Sequence, residues 1–326
     1  MYKLEDIRDV HLELTSKCQA RCPMCPRRIN GGILNPLINL DEITLVQFKE
    51  WFSVEFIQQL DSLFMCGNLG DPIIAQDCLE IFQYLRATNP SIRLSMHTNG
   101  SARSTSWWKT LAETSVRVTF GIDGLTDTHT LYRVGTDFDQ IMRNATAFIQ
   151  SGGHAEWHML VFKHNEGQVE DCRSLSEKLG FSKFTAKHTS RFTDGKFHVL
   201  DDLGRTTHIL QPTERSSTMI SLVKDSRQST EITCKAVKYR QIYIAADGTV
   251  SPCCWLDLKW QLPKQDNRVD YMDTIGVYPN LNSESLDKIF SSGYFDKIES
   301  TWTNRPLLEC NKQCGKFDKL GEQFVN

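Results

Sequence analysis

Three cysteines near the N-terminus, Cys18, Cys22 and Cys25, have the spacing of a metal-cluster motif. The Cys-x3-Cys-x2-Cys run follows a predicted first strand, so that one loop carries three thiols. A [4Fe-4S] cluster is usually held by four cysteines, and a set of three leaves one iron open to another ligand. The alternatives are a zinc site, with His11 as the nearest fourth ligand, and three unrelated thiols in a loop. The context further along the chain has to separate these interpretations.

A second group of five cysteines occupies the C-terminal third of the chain: Cys234, Cys253, Cys254, Cys310 and Cys314. Segments 241–245 and 249–251 flank an Asp-Gly turn and predict a β-hairpin, which would bring Cys234 and Cys253 to one site. Four thiolates around one point suit either a second [4Fe-4S] cluster or a structural zinc ion. Cys254 could replace Cys253 in that set or stay a free thiol beside it.

Composition narrows the class of protein. The 326 residues are 40% hydrophobic and 24% charged, which is ordinary for a globular protein. The formal net charge of -3 gives no indication of a basic surface that would bind nucleic acid. No run approaches the roughly 20 apolar residues of a membrane span, and no signal-peptide pattern is found, so we expect a cytoplasmic protein without membrane partners. Because the cytosol keeps thiols reduced, metal binding explains the clustered cysteines better than disulfides do.

Strand-like and helix-like segments alternate in the first 190 residues. Period-two runs predict six strands, at 10–14, 62–66, 92–96, 117–122, 155–162 and 183–187. Helical patterns fall between them, at about 41–59, 75–88, 104–114, 137–151 and 166–179. This alternation predicts an α/β fold with parallel strands and helices outside, and six units rather than eight predict an incomplete barrel.

The N-terminal cysteine motif resembles the signature of the radical S-adenosylmethionine (radical SAM) superfamily. In that family the open iron binds the amino and carboxylate groups of SAM, an electron from the cluster cleaves the sulfonium, and a 5'-deoxyadenosyl radical abstracts hydrogen from a substrate. The resemblance implies a partial (β/α)6 TIM-like barrel with its chemistry at the C-terminal ends of the strands. It divides the chain into a core at 1–205, a linker at 206–233 and a small α+β domain at 234–326.

Further elements resemble the family's SAM contacts. The run Cys66–Pro72 is similar to a Gly-Gly-Glu-Pro element, with Asp71 in place of the glutamate, and Thr98-Asn99-Gly100 is similar to an element near the ribose. Arg133 is expected to bond the SAM carboxylate. Together the resemblance implies these SAM-binding residues: Met24, Asn68, Gly70, Asp71, Asn99, Asp123, Arg133 and Val161.

The C-terminal cysteines resemble a shortened SPASM region, called a twitch domain. By that resemblance one auxiliary [4Fe-4S] cluster has these ligands: Cys234, Cys253, Cys310 and Cys314. The family pattern more often ends in Cys-x2-Cys, whereas three residues separate the last pair here. A full SPASM region holds two clusters and has more cysteines.

The sequence therefore predicts a radical SAM oxidoreductase or modifying enzyme that oxidises or otherwise modifies a peptide or small polar substrate. An electron donor such as flavodoxin or ferredoxin would reduce the cluster. The alternative within this class is epimerisation, for which Cys66 and Cys254 are the candidate hydrogen donors. The alternative from another class is a non-catalytic zinc or iron-sulfur module that binds a partner.

Overall fold

The central element of the fold is an eight-stranded sheet. The structure, a computed structural model, describes residues 1–189, 191–192, 195–218, 231–259, 271–303 and 305–315. The sheet contains β1 (Asp9–Leu12), β2 (Ser62–Met65), β3 (Arg93–Thr98), β4 (Arg117–Gly121), β5 (His154–Val161), β6 (Lys183–His188), β9 (Gln241–Ile244) and β10 (Val250–Ser251). A separate antiparallel hairpin is formed by β7 (Phe197–Leu200) and β8 (Thr206–Leu210).

The strands follow the order β10-β9-β1-β2-β3-β4-β5-β6. Strands β1 to β6 are parallel, each beside the next, which confirms the predicted α/β fold with six parallel strands. The predicted C-terminal hairpin is also confirmed, since β9 and β10 pair antiparallel. However, β9 also pairs in parallel with β1, so that the C-terminal unit extends the main sheet. The cysteine loop after β1 therefore lies between the two halves of the chain.

The sheet curves around its polar inner face. The rings of His97 on β3 and His158 on β5 are 5.5 Å apart, although β4 runs between their strands. Strands lie about 4.8 Å apart, so a flat sheet would hold such rings at nearly twice that separation. The inner face carries rings from four strands: His11, Phe64, His97 and His158. The alternate side chains, such as Leu12 and Met65, are buried in the apolar core of the protein.

Helices connect the parallel strands. They are α1 (Leu45–Trp51), α2 (Val54–Gln59), α3 (Cys78–Thr88), α4 (Thr105–Glu113), α5 (His129–Tyr132), α6 (Phe138–Gln150) and α7 (Val169–Leu179). The prediction of one helix over 41–59 was wrong, because Phe52 is extended and Ser53 begins a second helix by accepting a hydrogen bond from the Phe56 amide. A serine at this position caps a new helix better than it continues an old one.

The described part of the C-terminal unit includes the short helices α8 (Lys235–Tyr239), α9 (Leu286–Ser291), α10 (Tyr294–Ser300) and α11 (Leu308–Cys314). The domain limits at 205 and 233 stay predictions, although the β7–β8 hairpin spans the first of them. Residues 219–230 of the predicted linker, and 260–270 and 316–326 of the predicted C-terminal domain, lie outside the described residues. Among the described helices none has the length and apolar character needed to cross a bilayer.

Candidate active site

The loop that carries Cys18, Cys22 and Cys25 leaves the C-terminal end of β1. The Cys25 amide donates to the Cys22 carbonyl over 3.0 Å, a tight turn that turns the chain back within the motif. Burial raises the pKa of all three thiols, that of Cys25 to about 11. Free thiolates are therefore disfavoured here, and a positively charged metal centre is the chemistry that would hold three of them deprotonated. The donor set thus fits an iron-sulfur cluster.

Two side chains from other strands donate to the sulfurs of this loop. Asn99 Nδ2 is 3.6 Å from Cys18 Sγ, and Arg133 Nη1 is 3.8 Å from Cys22 Sγ. Hydrogen bonds to ligand sulfurs are one of the means by which a protein tunes the reduction potential of a cluster. The structure therefore places Asn99 and Arg133, both expected near SAM, at the edge of the cysteine loop.

His11 is engaged with the neighbouring strand. Its Nε2 is 2.5 Å from the Cys66 carbonyl oxygen, and its ring packs on the rings of Phe64 and Tyr243. Burial lowers its pKa to about 4, so the imidazole is neutral at physiological pH. The structure gives His11 a packing role on the inner face rather than a place beside the three cysteines.

The segment Cys66–Pro72, here called the glycine loop, approaches the chain after β1 closely. A Cβ atom at Gly70 would overlap the Thr15 carbonyl oxygen, so only glycine allows this approach. The Asp71 amide donates to the Lys17 carbonyl over 3.0 Å, which ties the glycine loop to the cysteine loop. Gly70 and Asp71 thus lie directly beside the predicted cluster.

The Asp71 carboxylate is buried and bonded within the protein. Its Oδ1 accepts from Thr98 Oγ1 over 2.8 Å, and its Oδ2 accepts from the Asn99 amide over 2.7 Å. These bonds join the ends of β2 and β3, two elements expected separately at the SAM site. Asn68 instead points toward the C-terminal unit, where its Nδ2 donates to the Cys254 carbonyl over 2.9 Å.

Asp123 and Arg133 form a buried ion pair. Arg133 Nε donates to Asp123 Oδ2 over 2.6 Å, and Asp123 Oδ1 accepts from the Leu160 amide over 2.6 Å. Gly121 explains how the guanidinium fits, because a Cβ atom there would lie 2.6 Å from Arg133 Nη2. Gly121 therefore makes room for Arg133, which approaches Cys22 from this side.

An apolar cluster covers the other side of the cysteine loop. Its buried members are Tyr132, Phe162, Phe192, Val199 and Leu210, with Met24 and Leu160 packed against them. Val161 is buried on the opposite face of β5, in the same alternation as Trp157 and Met159. The side chains that pack in this cluster are thus Leu160 and Phe162, the two neighbours of Val161 in sequence. The β7–β8 hairpin contributes Val199 and Leu210 and so covers this end of the barrel.

The C-terminal cysteines separate into two groups. The thiols of Cys234 and Cys314 are hydrogen-bonded, which lowers the pKa of Cys314 and raises that of Cys234. Burial, and then the neighbouring Cys253, raise the pKa of Cys310 to about 12. Cys253 also acts electrostatically on Cys234, so the four thiols are neighbours beside α11, although no three of the described thiols already stand at the distances of metal ligands. The four cysteines expected to hold an auxiliary cluster are therefore brought together.

Cys254 faces the barrel interior instead. Its pKa is raised to about 12 by burial and then by Cys66 and Glu13, neither of which belongs to the four-cysteine group. Two of the four thiols left over by the cluster motifs, Cys66 and Cys254, are thus neighbours, although they are 188 positions apart in sequence.

A buried polar centre between the two halves was missed from the sequence. Glu13 Oε1 accepts from the amides of Leu69 and Gly70 over 2.7 and 3.1 Å, and Tyr243 Oη donates to Glu13 Oε2 over 2.5 Å. Burial raises the pKa of Glu13 to about 7. The sequence signal that could have indicated this centre is Glu13 itself, a charged residue within the apolar run Val10–Leu14, since a buried carboxylate requires hydrogen-bond partners.

Comparison with protein families gives two matches. The model described as the radical SAM superfamily matches residues 12–175, about half of the chain. The model described as an iron-sulfur cluster-binding domain, SPASM, matches residues 234–315. Comparison with curated proteins gives no significant match.

Several solved structures share the fold. Streptococcus suis SuiB bound to S-adenosylmethionine has a TM-score of 0.56 and 13% identity, over 93% of this chain and 72% of SuiB. The protein anSMEcpe with bound AdoMet has a TM-score of 0.57 and 16% identity, over 94% of this chain and 88% of anSMEcpe. SuiB bound to its precursor peptide SuiA has a TM-score of 0.56 and 11% identity, over 90% of this chain and 67% of SuiB. At these identities the similarity establishes the fold alone.

Proposed function

Because this chain belongs to the radical SAM superfamily, we propose that it cleaves S-adenosylmethionine reductively and abstracts hydrogen from a peptide or small polar substrate, which it oxidises. A radical SAM domain implies a [4Fe-4S] cluster and SAM, and the SPASM match implies auxiliary iron-sulfur binding. When bound, the cluster and SAM supply the 5'-deoxyadenosyl radical. The family favours an enzyme over a non-catalytic module.

In this proposal Cys18, Cys22 and Cys25 hold the SAM-cleaving cluster. The observation that carries it is the convergence of separate strand ends on one loop: Asn99 from β3 donates to Cys18, and Arg133, which follows β4, donates to Cys22. Chemistry at the C-terminal ends of parallel strands is the rule for barrel enzymes.

The remaining contacts of SAM are assigned to the groups that surround this loop. Arg133 keeps a guanidinium nitrogen beside Cys22 while its Nε is bonded to Asp123, so it is oriented to bond the SAM carboxylate. Gly70 offers its backbone carbonyl group close to the loop, since its amide donates to Glu13. Asp71, whose oxygens are bonded to Thr98 and Asn99, acts by fixing the glycine loop in place. Met24 and the backbone at Val161 line the apolar side, where the adenine ring would pack.

The second part of the proposal is one auxiliary [4Fe-4S] cluster held by four cysteines: Cys234, Cys253, Cys310 and Cys314. The grouping of their thiols supports Cys253, rather than Cys254, as the hairpin ligand. In an oxidation, the substrate radical must lose one electron after hydrogen abstraction, and an auxiliary cluster is a suitable acceptor. A flavodoxin or a ferredoxin would be the donor to the first cluster.

The test is 5'-deoxyadenosine formation from SAM by the anaerobically reconstituted chain with dithionite. A variant with Cys18, Cys22 and Cys25 changed to Ala should form none, while it keeps the iron of the auxiliary site. Equal product from the variant and the parent chain, at verified iron loading, would refute the proposal. Retention of about four irons in the variant is the control that the C-terminal unit remains folded.

Epimerisation is the second candidate, and the proximity of Cys66 to Cys254 favours it. An epimerase needs a thiol that returns hydrogen to the substrate radical, and these two half-buried, neighbouring thiols are the candidates for it. Deuterium uptake from solvent into the substrate distinguishes the reactions. Uptake that is unchanged in both Cys66→Ala and Cys254→Ala would exclude this role for either thiol.

A further inference from the structure

A cavity of about 250 Å³ opens between the cysteine loop and the C-terminal unit. Its walls are the end of β1, the segment 37–41, Leu69 of the glycine loop and the segment 245–259. Four acidic side chains line it: Glu13, Asp41, Asp247 and Asp257. Lys259 is the single basic side chain among the described residues of the lining, so carboxyl groups outnumber ammonium groups four to one.

Asp257 contributes a buried oxygen without a donor. The residue is 2% exposed, and Oδ1 has no hydrogen-bond partner, whereas Oδ2 lies 3.5 Å from the Tyr243 hydroxyl, whose proton is directed at the nearer Glu13 Oε2. Lys259 Nζ is 3.7 Å from Oδ1, too far for a hydrogen bond. A buried acceptor left unsatisfied costs about 1–3 kcal/mol, so this oxygen is a favourable place for a donor from a ligand.

The other charged groups of the cavity already have partners or add to its negative potential. Lys259 Nζ donates to Asp247 Oδ2 over 2.5 Å and to Thr249 Oγ1 over 2.7 Å, and at 3.7 Å from Asp257 Oδ1 it forms an ion pair with that carboxylate without a hydrogen bond. Both oxygens of Glu13 accept hydrogen bonds. Burial and the charge of Asp247 raise the pKa of Asp41, and the charges of Lys259 and Lys17 oppose that shift.

We propose that this cavity binds a primary ammonium group of the substrate, with Asp257 Oδ1 as its hydrogen-bond acceptor and Asp41 as the second carboxylate. The inference rests on the proposed function, because it names the substrate class of that reaction. Leu37, Ile38 and Leu69 line the same cavity and would contact the alkyl chain that carries the ammonium.

The size and chemistry of the cavity favour an organic ammonium group. Pockets that enclose whole drug-sized ligands measure about 300–1,000 Å³, so the volume here suits one end of a molecule. Among the described residues that line the cavity, no three His, Cys, Asp or Glu side chains converge as ligands of one metal ion. An ammonium group has three donors and a compact charge, which matches one unsatisfied carboxylate oxygen with a second carboxylate nearby.

Equilibrium dialysis of the anaerobically reconstituted full chain against n-butylammonium chloride tests the site, with n-butanol as the uncharged probe of equal length. The chain should retain the amine and not the alcohol. Asp257→Asn should weaken retention of the amine at least tenfold, and Asp41→Asn at least threefold. Asp139→Asn, an exposed aspartate in the first turn of α6, should leave it unchanged. Far-UV circular dichroism checks that each variant is folded.

Three results would overturn the inference: equal retention of the amine by the parent chain and both cavity variants, equal retention of n-butanol, or displacement of the amine by equimolar Mg²⁺. Formation of 5'-deoxyadenosine is measured in the same preparations. If it forms while no amine is retained, this inference is wrong and the proposed function stands. If the amine is retained in an Asp257-dependent way while no 5'-deoxyadenosine forms, the site stands and the proposed function fails.

Discussion

Replacing Glu13 by Gln should make the stability of this protein less dependent on pH. Glu13 is 1% exposed and joins three elements, because it accepts from the Leu69 and Gly70 amides and from the Tyr243 hydroxyl. A glutamine keeps these bonds. Its amide oxygen accepts from the loop amides, and its amide nitrogen donates to the Tyr243 oxygen. The substitution therefore removes the titration of the group and little else.

The size of the effect follows from the pKa of Glu13. Burial, opposed by the hydrogen bonds from Tyr243 and the loop amides, raises this pKa from 4.5 to about 7. An acid with a raised pKa stabilises the folded state below the pKa of the unfolded chain, and that contribution is lost as the pH rises through the folded value. At 1.36 kcal/mol per unit, the full loss is about 3 kcal/mol, of which about 2 kcal/mol falls between pH 5.5 and 8.

Urea unfolding of the two reconstituted chains at pH 5.5 and pH 8, followed by tryptophan fluorescence, measures this difference. Contributions of the clusters are common to both chains at a given pH, so the difference in unfolding free energy isolates Glu13. Between pH 5.5 and pH 8, the unfolding free energy of Glu13→Gln should rise by about 2 kcal/mol relative to that of the parent chain. A difference that stays constant over this range would show that the carboxyl group titrates normally and would refute the reasoning.

Three other changes test the site. Gly70→Ala should abolish SAM binding in equilibrium dialysis, because a Cβ atom would overlap backbone, whereas Gly167→Ala meets open space and should bind SAM normally. Cys253→Ser should lose about four irons per chain by chemical iron assay, and Cys254→Ser should lose none, because only the former thiol lies in the four-cysteine group. Arg133→Lys should weaken SAM binding about tenfold or more, since lysine keeps the charge but not the two-pronged donor.

Each of these predictions has a result that contradicts it. SAM binding by Gly70→Ala equal to that of the parent chain would mean that the glycine loop does not approach the cysteine loop as described. Iron loss from Cys254→Ser, with retention in Cys253→Ser, would exchange their roles. Unchanged SAM affinity in Arg133→Lys, at full iron loading, would remove the guanidinium from the carboxylate site.

The sequence by itself was sufficient for the fold class and the cysteine motifs. Parallel strands buried on one face carry period-two patterns, and those patterns predicted all six strands of the core and the C-terminal hairpin. Cluster motifs are local, so the spacing of Cys18, Cys22 and Cys25 indicated a candidate metal site, and the context of the later motifs favoured an iron-sulfur cluster over the alternatives. The limits of the helices were predicted less well, and the break at Ser53 was missed. A serine side chain that caps a new helix competes with continuation of the preceding one, and the hydrophobic periodicity does not show which of the two forms.

Tertiary structure decided which side chains meet. The pairing of β9 with β1 brings Tyr243 to Glu13, a contact between residues 230 positions apart that no pattern in either strand encodes. The folded chain also gives Cys253 and Cys254 different further neighbours, Cys314 of α11 for the former and Cys66 for the latter. Spacing specifies a motif because its members share one local backbone conformation. The neighbours of a buried charge depend on how distant segments pack, and they are known only once the chain is folded.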